Sequence, residues 1–146
     1  MVIGGNEIEN PKIIGQTKTV GFQVGVRRTF PISQEEAWNL VTSQDGLNLW
    51  LGESKNIILE PGQKYITKSG YGEIRVVKPL QQLRLTWQKI EWEKAATVQV
   101  RIISSSSNKT TISFHHEKLS NQNVREEMKL YLEKVLEEIK ERIPKN

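Results

Sequence analysis

Hydrophobic positions in this chain follow two periods. From Ser120 to Ile143, the residues Val124, Met128, Tyr131, Leu132, Val135, Leu136, Ile139 and Ile143 recur at three- and four-residue steps, with Glu, Lys and Arg between them. That spacing gathers apolar side chains into one stripe of an α-helix. Between Val20 and His116 the period is two, the alternation of strands with one dry and one wet face. A striped helix needs a surface to lie on, and one-sided strands need a cover. The two patterns together predict an α+β domain, in which a curved antiparallel sheet of about six to seven strands wraps around the long C-terminal helix.

Taken in order, Val20, Phe22, Val24 and Val26 share one face of a first strand that runs to Phe30. Pro31 ends it, because proline has no N–H for a ladder. Ser33-Gln34-Glu35-Glu36 has capping-box spacing and starts a short helix through Ala37, Trp38, Leu40 and Val41, interrupted at Thr42-Ser43. Asp45–Gly52 predicts a second brief helix, closed by Gly52 in the left-handed conformation. Strands are then predicted at Lys55–Leu59, Lys64–Lys68, Glu73–Val77 and Gln82–Gln88, parted by Glu60-Pro61-Gly62, Ser69-Gly70-Tyr71-Gly72 and Lys78-Pro79. Ile90 and Trp92 fall out of phase with Trp87, which places a bulge or hairpin between Gln88 and Ala95. The inner faces of the last two strands carry Val98, Val100, Ile102 and then Ile112, Phe114, His116, joined by a polar turn over Ser104–Asn108. Residues 1–18 read as a flexible N-terminal arm, and residues 19–146 as a single domain.

Composition narrows the chemistry. A chain of 146 residues is long enough for one core, and with no cysteine it has no disulfide, thiol nucleophile or Cys-type metal site. No apolar run approaches the ~20 residues that span a bilayer, and no basic start leads into a signal segment. A cytoplasmic location without membrane insertion is expected. The formal charge is +4, and the seven basic and seven acidic residues from Glu117 onward leave the whole excess on the strand-forming part. Lys and Arg are not clustered into runs, so nucleic acid is not an expected partner.

The order of strand, two short helices, antiparallel strands and long terminal helix resembles the START-like helix-grip fold, the SRPBCC superfamily. Arg28-Thr29-Phe30-Pro31-Ile32-Ser33 with Glu36-Ala37-Trp38 looks like the approach to that superfamily's first helix, and Trp50-Leu51-Gly52 like the motif closing its second. Pro79 to Trp87 is similar to the P-x-x-x-L-x-x-x-W segment of one branch, the homologues of the activator of the heat-shock protein 90 ATPase. Thr110 to His116 resembles the T-x-I-x-F-x-H strand of the same branch. The resemblance covers residues 19–143. It implies a small apolar or aromatic ligand, lipid-like or polyketide-like, held between sheet and last helix. A protein-interaction or chaperone-accessory role and a cyclase-type enzyme are the alternatives it leaves open. Tyr131-Leu132 fall where the family's last helix often carries Gly-Trp, and a tyrosine there would narrow the cavity.

On that frame the expected lining is Trp50, Leu85, Trp87, Val100, Phe114, His116, Met128, Tyr131 and Val135. Apolar walls with few polar groups are what small-molecule sites use, although large aromatics anchor cores as well. His115 and His116 are the only histidines. Neighbours in a strand point to opposite faces, so they cannot share one metal ion. No nucleophile triad, phosphate loop or zinc motif is present, no catalytic pair can be named, and no cofactor is expected. The chain reads as a binding domain ahead of an enzyme, as a monomer or weak dimer. Arg75, Arg84, Arg101 and His115 take the outer parity of successive strands, either a basic stripe for an acidic partner or a solvated face.

Overall fold

A computed structural model describes residues 16–17 and 21–145. The elements are β1 (Gln16–Thr17), β2 (Gly21–Phe30), α1 (Gln34–Thr42), α2 (Gln44–Leu51), β3 (Lys64–Ile66), β4 (Gly70–Lys78), β5 (Gln82–Lys89), β6 (Ala96–Ser106), β7 (Lys109–Leu119) and α3 (Gln122–Glu141). The strands form one seven-stranded sheet in the order β1-β2-β7-β6-β5-β4-β3, and every pairing is antiparallel. Helix α3 packs on β2 and β7 and against α2, while α1 packs on β6 and β7. This is the sheet-around-helix arrangement expected from the two hydrophobic periods, and the helix-grip fold that the resemblance implied. Of the arm expected over residues 1–18, only Gln16–Thr17 are described, as the short β1 on the edge of β2; the remainder lies outside the described residues.

Local chemistry accounts for the helix ends. Ser33 caps α1 by accepting from the Glu36 N–H while Glu36 accepts from the Ser33 N–H, the full reciprocal box. Ser43 ends α1 and caps α2, accepting from the Gly46 N–H. The corner between these helices is so tight that a Cβ on Gly46 would lie 1.9 Å from the Leu40 carbonyl oxygen. Helix α3 is capped by Asn121, which accepts from the Val124 N–H at 2.9 Å. Its buried side chains are Met128, Leu132, Val135, Leu136 and Ile139, each large one contributing on the order of 1.5–3 kcal/mol gross.

The structure departs from the sequence expectations in several places. Lys55–Leu59 forms no strand. Asn56 sits at φ +53 and Glu60 N–H donates to the Ile58 carbonyl, so the segment coils. Half-buried Ile57 and Leu59 pack against the core without a ladder. The serine run is mostly strand: β6 continues to Ser106, paired with Lys109, and only two residues turn. Small hydroxyl side chains do not prevent pairing once a neighbouring strand supplies the hydrogen bonds. Gly52 has φ 98 and ψ 161, positive in φ but extended, not left-handed helical. Finally, the inner parity slips after His116: Lys118 takes φ +64, Leu119 turns inward, and the β2–β7 register shifts between Phe22 and Val24.

Candidate functional site

The inner face of the sheet is organised in rows. Val24, His116, Val98, Leu85 and Ile74 face one another strand by strand across β2, β7, β6, β5 and β4, and all are buried. The next row carries Val26, Phe114, Val100, Leu83 and Val77. Met128, Leu132 and Val135 are the buried residues of the middle of α3, the helix that packs on β2 and β7. At one end Trp87 stacks on Tyr65 of β3, with ring centres 6.5 Å apart. Glycine at 70 makes room for that indole, since a Cβ there would come within 2.7 Å of it. Elsewhere in the core Trp50 of α2 meets Phe114 at 5.6 Å, and its Nε1–H donates to the Val41 carbonyl.

Eight of the nine residues expected to line a cavity are thus interior residues of one core: Trp50, Leu85, Trp87, Val100, Phe114, His116, Met128 and Val135. Tyr131 is placed differently. It is 37% exposed on the flank of α3, and its hydroxyl donates to the Leu49 carbonyl of α2 at 2.6 Å. Covering of that hydroxyl and the nearby Glu138 charge push its pKa to about 12. Tyr131 straps α3 to α2.

His116 stands apart chemically. It is 1% exposed, and neither Nδ1 nor Nε2 has a hydrogen-bond partner among the described residues. Burial, aided by the nearby His115, lowers its pKa to about 3. The ring is therefore neutral at physiological pH and holds one donor and one acceptor with nothing to bond. An unsatisfied buried polar group costs roughly 1–3 kcal/mol, and native structures seldom keep one without a reason.

A cleft of about 810 Å³ opens where α3 begins, between the β5–β6 connection and the β7–α3 junction. Trp92, Leu119 and Val124 form its apolar wall, and Glu91, Glu93, Lys94 and Lys118 are among its polar lining. Leu119 comes three positions after His116, and Val124 one helical turn before Met128. None of the nine expected residues lines this cleft. Sequence reasoning missed Leu119, Val124 and Trp92 as a group. Its only signal was the pair of parity slips, at Ile90–Trp92 and after His116. Among the described residues no group of three His, Asp or Glu could hold a metal ion.

Against known families, residues 31–143 match the model of the Activator of Hsp90 ATPase homolog 1-like protein. The chain belongs to that family. The START-like fold and its branch are therefore as the motifs from Arg28 to His116 implied. No curated protein matches the sequence. Among solved structures, the chain is similar to CalU16 from Micromonospora echinospora, with a TM-score of 0.69 and 20% identity over 80% of this chain and 71% of that one. PFC0360w, described as an HSP90 activator from Plasmodium falciparum, gives a TM-score of 0.64 and 21% identity over 73% and 84%. DynU16, a putative protein in the dynemicin biosynthetic locus, gives 0.68 and 15% over 82% and 46%. At these identities the likeness is one of fold. Among the described residues no helix is long and apolar enough to cross a membrane.

Proposed function

We propose that this family member binds a small molecule with an apolar or aromatic body and one polar group, lipid-like or polyketide-like, between the sheet and α3. The observation that carries the reading is His116, neutral, buried and without a partner on either ring nitrogen among the described residues. A carbonyl or hydroxyl of the ligand would bond it, with Leu85, Trp87, Val100, Phe114 and Val135 as apolar walls. The cleft at the start of α3 is the proposed way in, and Trp50 and Tyr131 bound the site on the α2 side. The interior is packed, so binding displaces side chains. Met128 is the one suited to move, being unbranched and flexible. DynU16's place in a biosynthetic locus agrees with a ligand of this kind. No catalytic step is part of the proposal; a cytoplasmic location is.

Titration with a library of fatty acyl and polycyclic aromatic compounds, followed by amide and imidazole nitrogen NMR, tests it. A ligand should shift the inner residues of β5, β6 and β7 together with α3 and the His116 ring. Replacement His116→Leu should leave the fold intact and weaken that ligand at least about tenfold, the loss of one well-made hydrogen bond to a neutral group. A library that moves none of these signals, or a leucine variant that binds equally well, would sink the reading.

A further inference from the structure

The outer face of the sheet carries cations that the inner site does not explain. Strand pairing sets Lys78, Gln82, Arg101, Ser113 and Arg27 in one line across β4, β5, β6, β7 and β2. The adjacent line holds Val76, Arg84, Gln99, His115 and Gly25. Alternation fixes which way these residues face. Leu83, Val100, Ile112 and Phe114 are buried inside, so Gln82, Arg84, Arg101, Ser113 and His115 lie outside. Arg27, Lys78, Arg84 and Arg101 are all exposed.

Two features separate this patch from the other charged surface. Neither line contains a carboxylate, and none of the four cations takes part in the ion pairs or side-chain hydrogen bonds among the described residues. On α3, by contrast, Lys129, Lys134 and Lys140 are interleaved with Glu126, Glu127, Glu133, Glu137, Glu138 and Glu141. Two carboxylates of these strands lie beside other basic side chains: Glu73 is 3.6 Å from Arg75, and Glu117 is 3.7 Å from His115. Arg101 is the diagonal neighbour of both Arg84 and His115, a separation of about 7–8 Å that carboxylates on one chain can bridge. Across five strands at about 4.8 Å the line measures about 19 Å, the length of roughly six extended residues.

We propose that this face docks an extended acidic segment of a partner protein, laid across the strands with its carboxylates on Arg27, Arg84 and Arg101. Charge complementarity identifies the occupant. The guanidinium groups grip carboxylates in pairs of hydrogen bonds, while Ser113 and Gln99 between them offer neutral hydrogen-bonding groups. The surface lies on the opposite side of the sheet from the proposed ligand site and does not depend on it.

Fluorescence anisotropy with a short labelled poly-glutamate peptide tests the proposal on the full chain. The peptide should bind, a poly-lysine control should not, and affinity should fall steeply as salt is raised. Arg27→Gln with Arg101→Gln should weaken binding at least about tenfold, the effect of losing charge-assisted contacts worth 1.5 kcal/mol or more. Lys129→Gln with Lys134→Gln on α3 changes net charge equally and should change binding less than about twofold. Amide shifts should map to the outer residues of β5, β6 and β7. Absence of poly-glutamate binding would overturn the proposal, as would equal loss in the α3 variant. Tighter binding of a single-stranded oligonucleotide or of phosphatidylserine vesicles would also overturn it, because the occupant would then be a different macromolecule.

Discussion

His115 and His116 are adjacent in sequence and opposite in physics. His115 faces outward, with its Nε2 3.0 Å from the Gln23 Oε1 and its Nδ1 3.7 Å from Glu117. His116 faces inward, with no partner for either nitrogen among the described residues and a pKa pressed down to about 3. A single step along β7 moves an imidazole from a wet surface, where it is one polar group among many, to a dry one where it is the exception. The same division separates the two faces of the whole sheet. Inside, stability comes from apolar area and packing; outside, side chains are free to serve recognition because removing them costs the fold little.

That contrast can be broken most directly by truncation on each side. Leu136→Ala, at a position 4% exposed on the buried face of α3, should cost about 2–5 kcal/mol in denaturant unfolding. Arg101→Ala outside should stay within about 0.5 kcal/mol of the native chain. If the two costs were alike, the division into packing face and recognition face would be wrong.

Acid sharpens the comparison between the histidines. An unfolded chain protonates His116 near pH 6.5, whereas the folded chain refuses that proton until about pH 3. The unfolded state therefore binds more protons in this window, and stability falls with falling pH by up to about 1.4 kcal/mol per pH unit. Asp45 and Glu137, held below the usual carboxylate range by hydrogen bonds from Arg142 and Arg28, lose their contributions only at lower pH. Between pH 6.5 and 5, the difference in slope between the native chain and His116→Leu isolates His116. His116→Leu should flatten the slope, and a slope unchanged by that replacement would assign it elsewhere.

Smaller effects belong to the flanks of α3. Tyr131→Phe removes the hydroxyl that donates to Leu49 and should cost about 1 kcal/mol, seen as a lower melting temperature. Arg142→Ala removes a pair of exposed hydrogen bonds to Asp45 and should cost less than about 1 kcal/mol, less again in high salt.

Much of this division was legible in the residues alone. Periods of 3.6 and 2 set the long helix, most of the strands and the side of each that is dry, because burial selects apolar side chains at the spacing each backbone geometry presents. The capping box at Ser33 and the inward parity of Phe114 and His116 could be read directly. Lys55–Leu59 could not, because an apolar run lacking a neighbour to pair with coils onto the core as readily as it extends, and only the assembled sheet shows which segments have neighbours. The cleft also escaped, since Leu119 faces inward only through the backbone of Lys118 at positive φ. Tyr131 lay on the apolar stripe by periodicity, yet the position of α2 beside it turned it into a strap. The sequence determined which faces would be dry and where the charge excess would fall. Tertiary structure alone decided that His116 would have no hydrogen-bond partner among the described residues and that Arg27 of β2, in place of Arg75, would line up with Arg84 and Arg101, whose outer parity was already legible. Both depend on which side chains from distant strands become neighbours, and no local pattern encodes that.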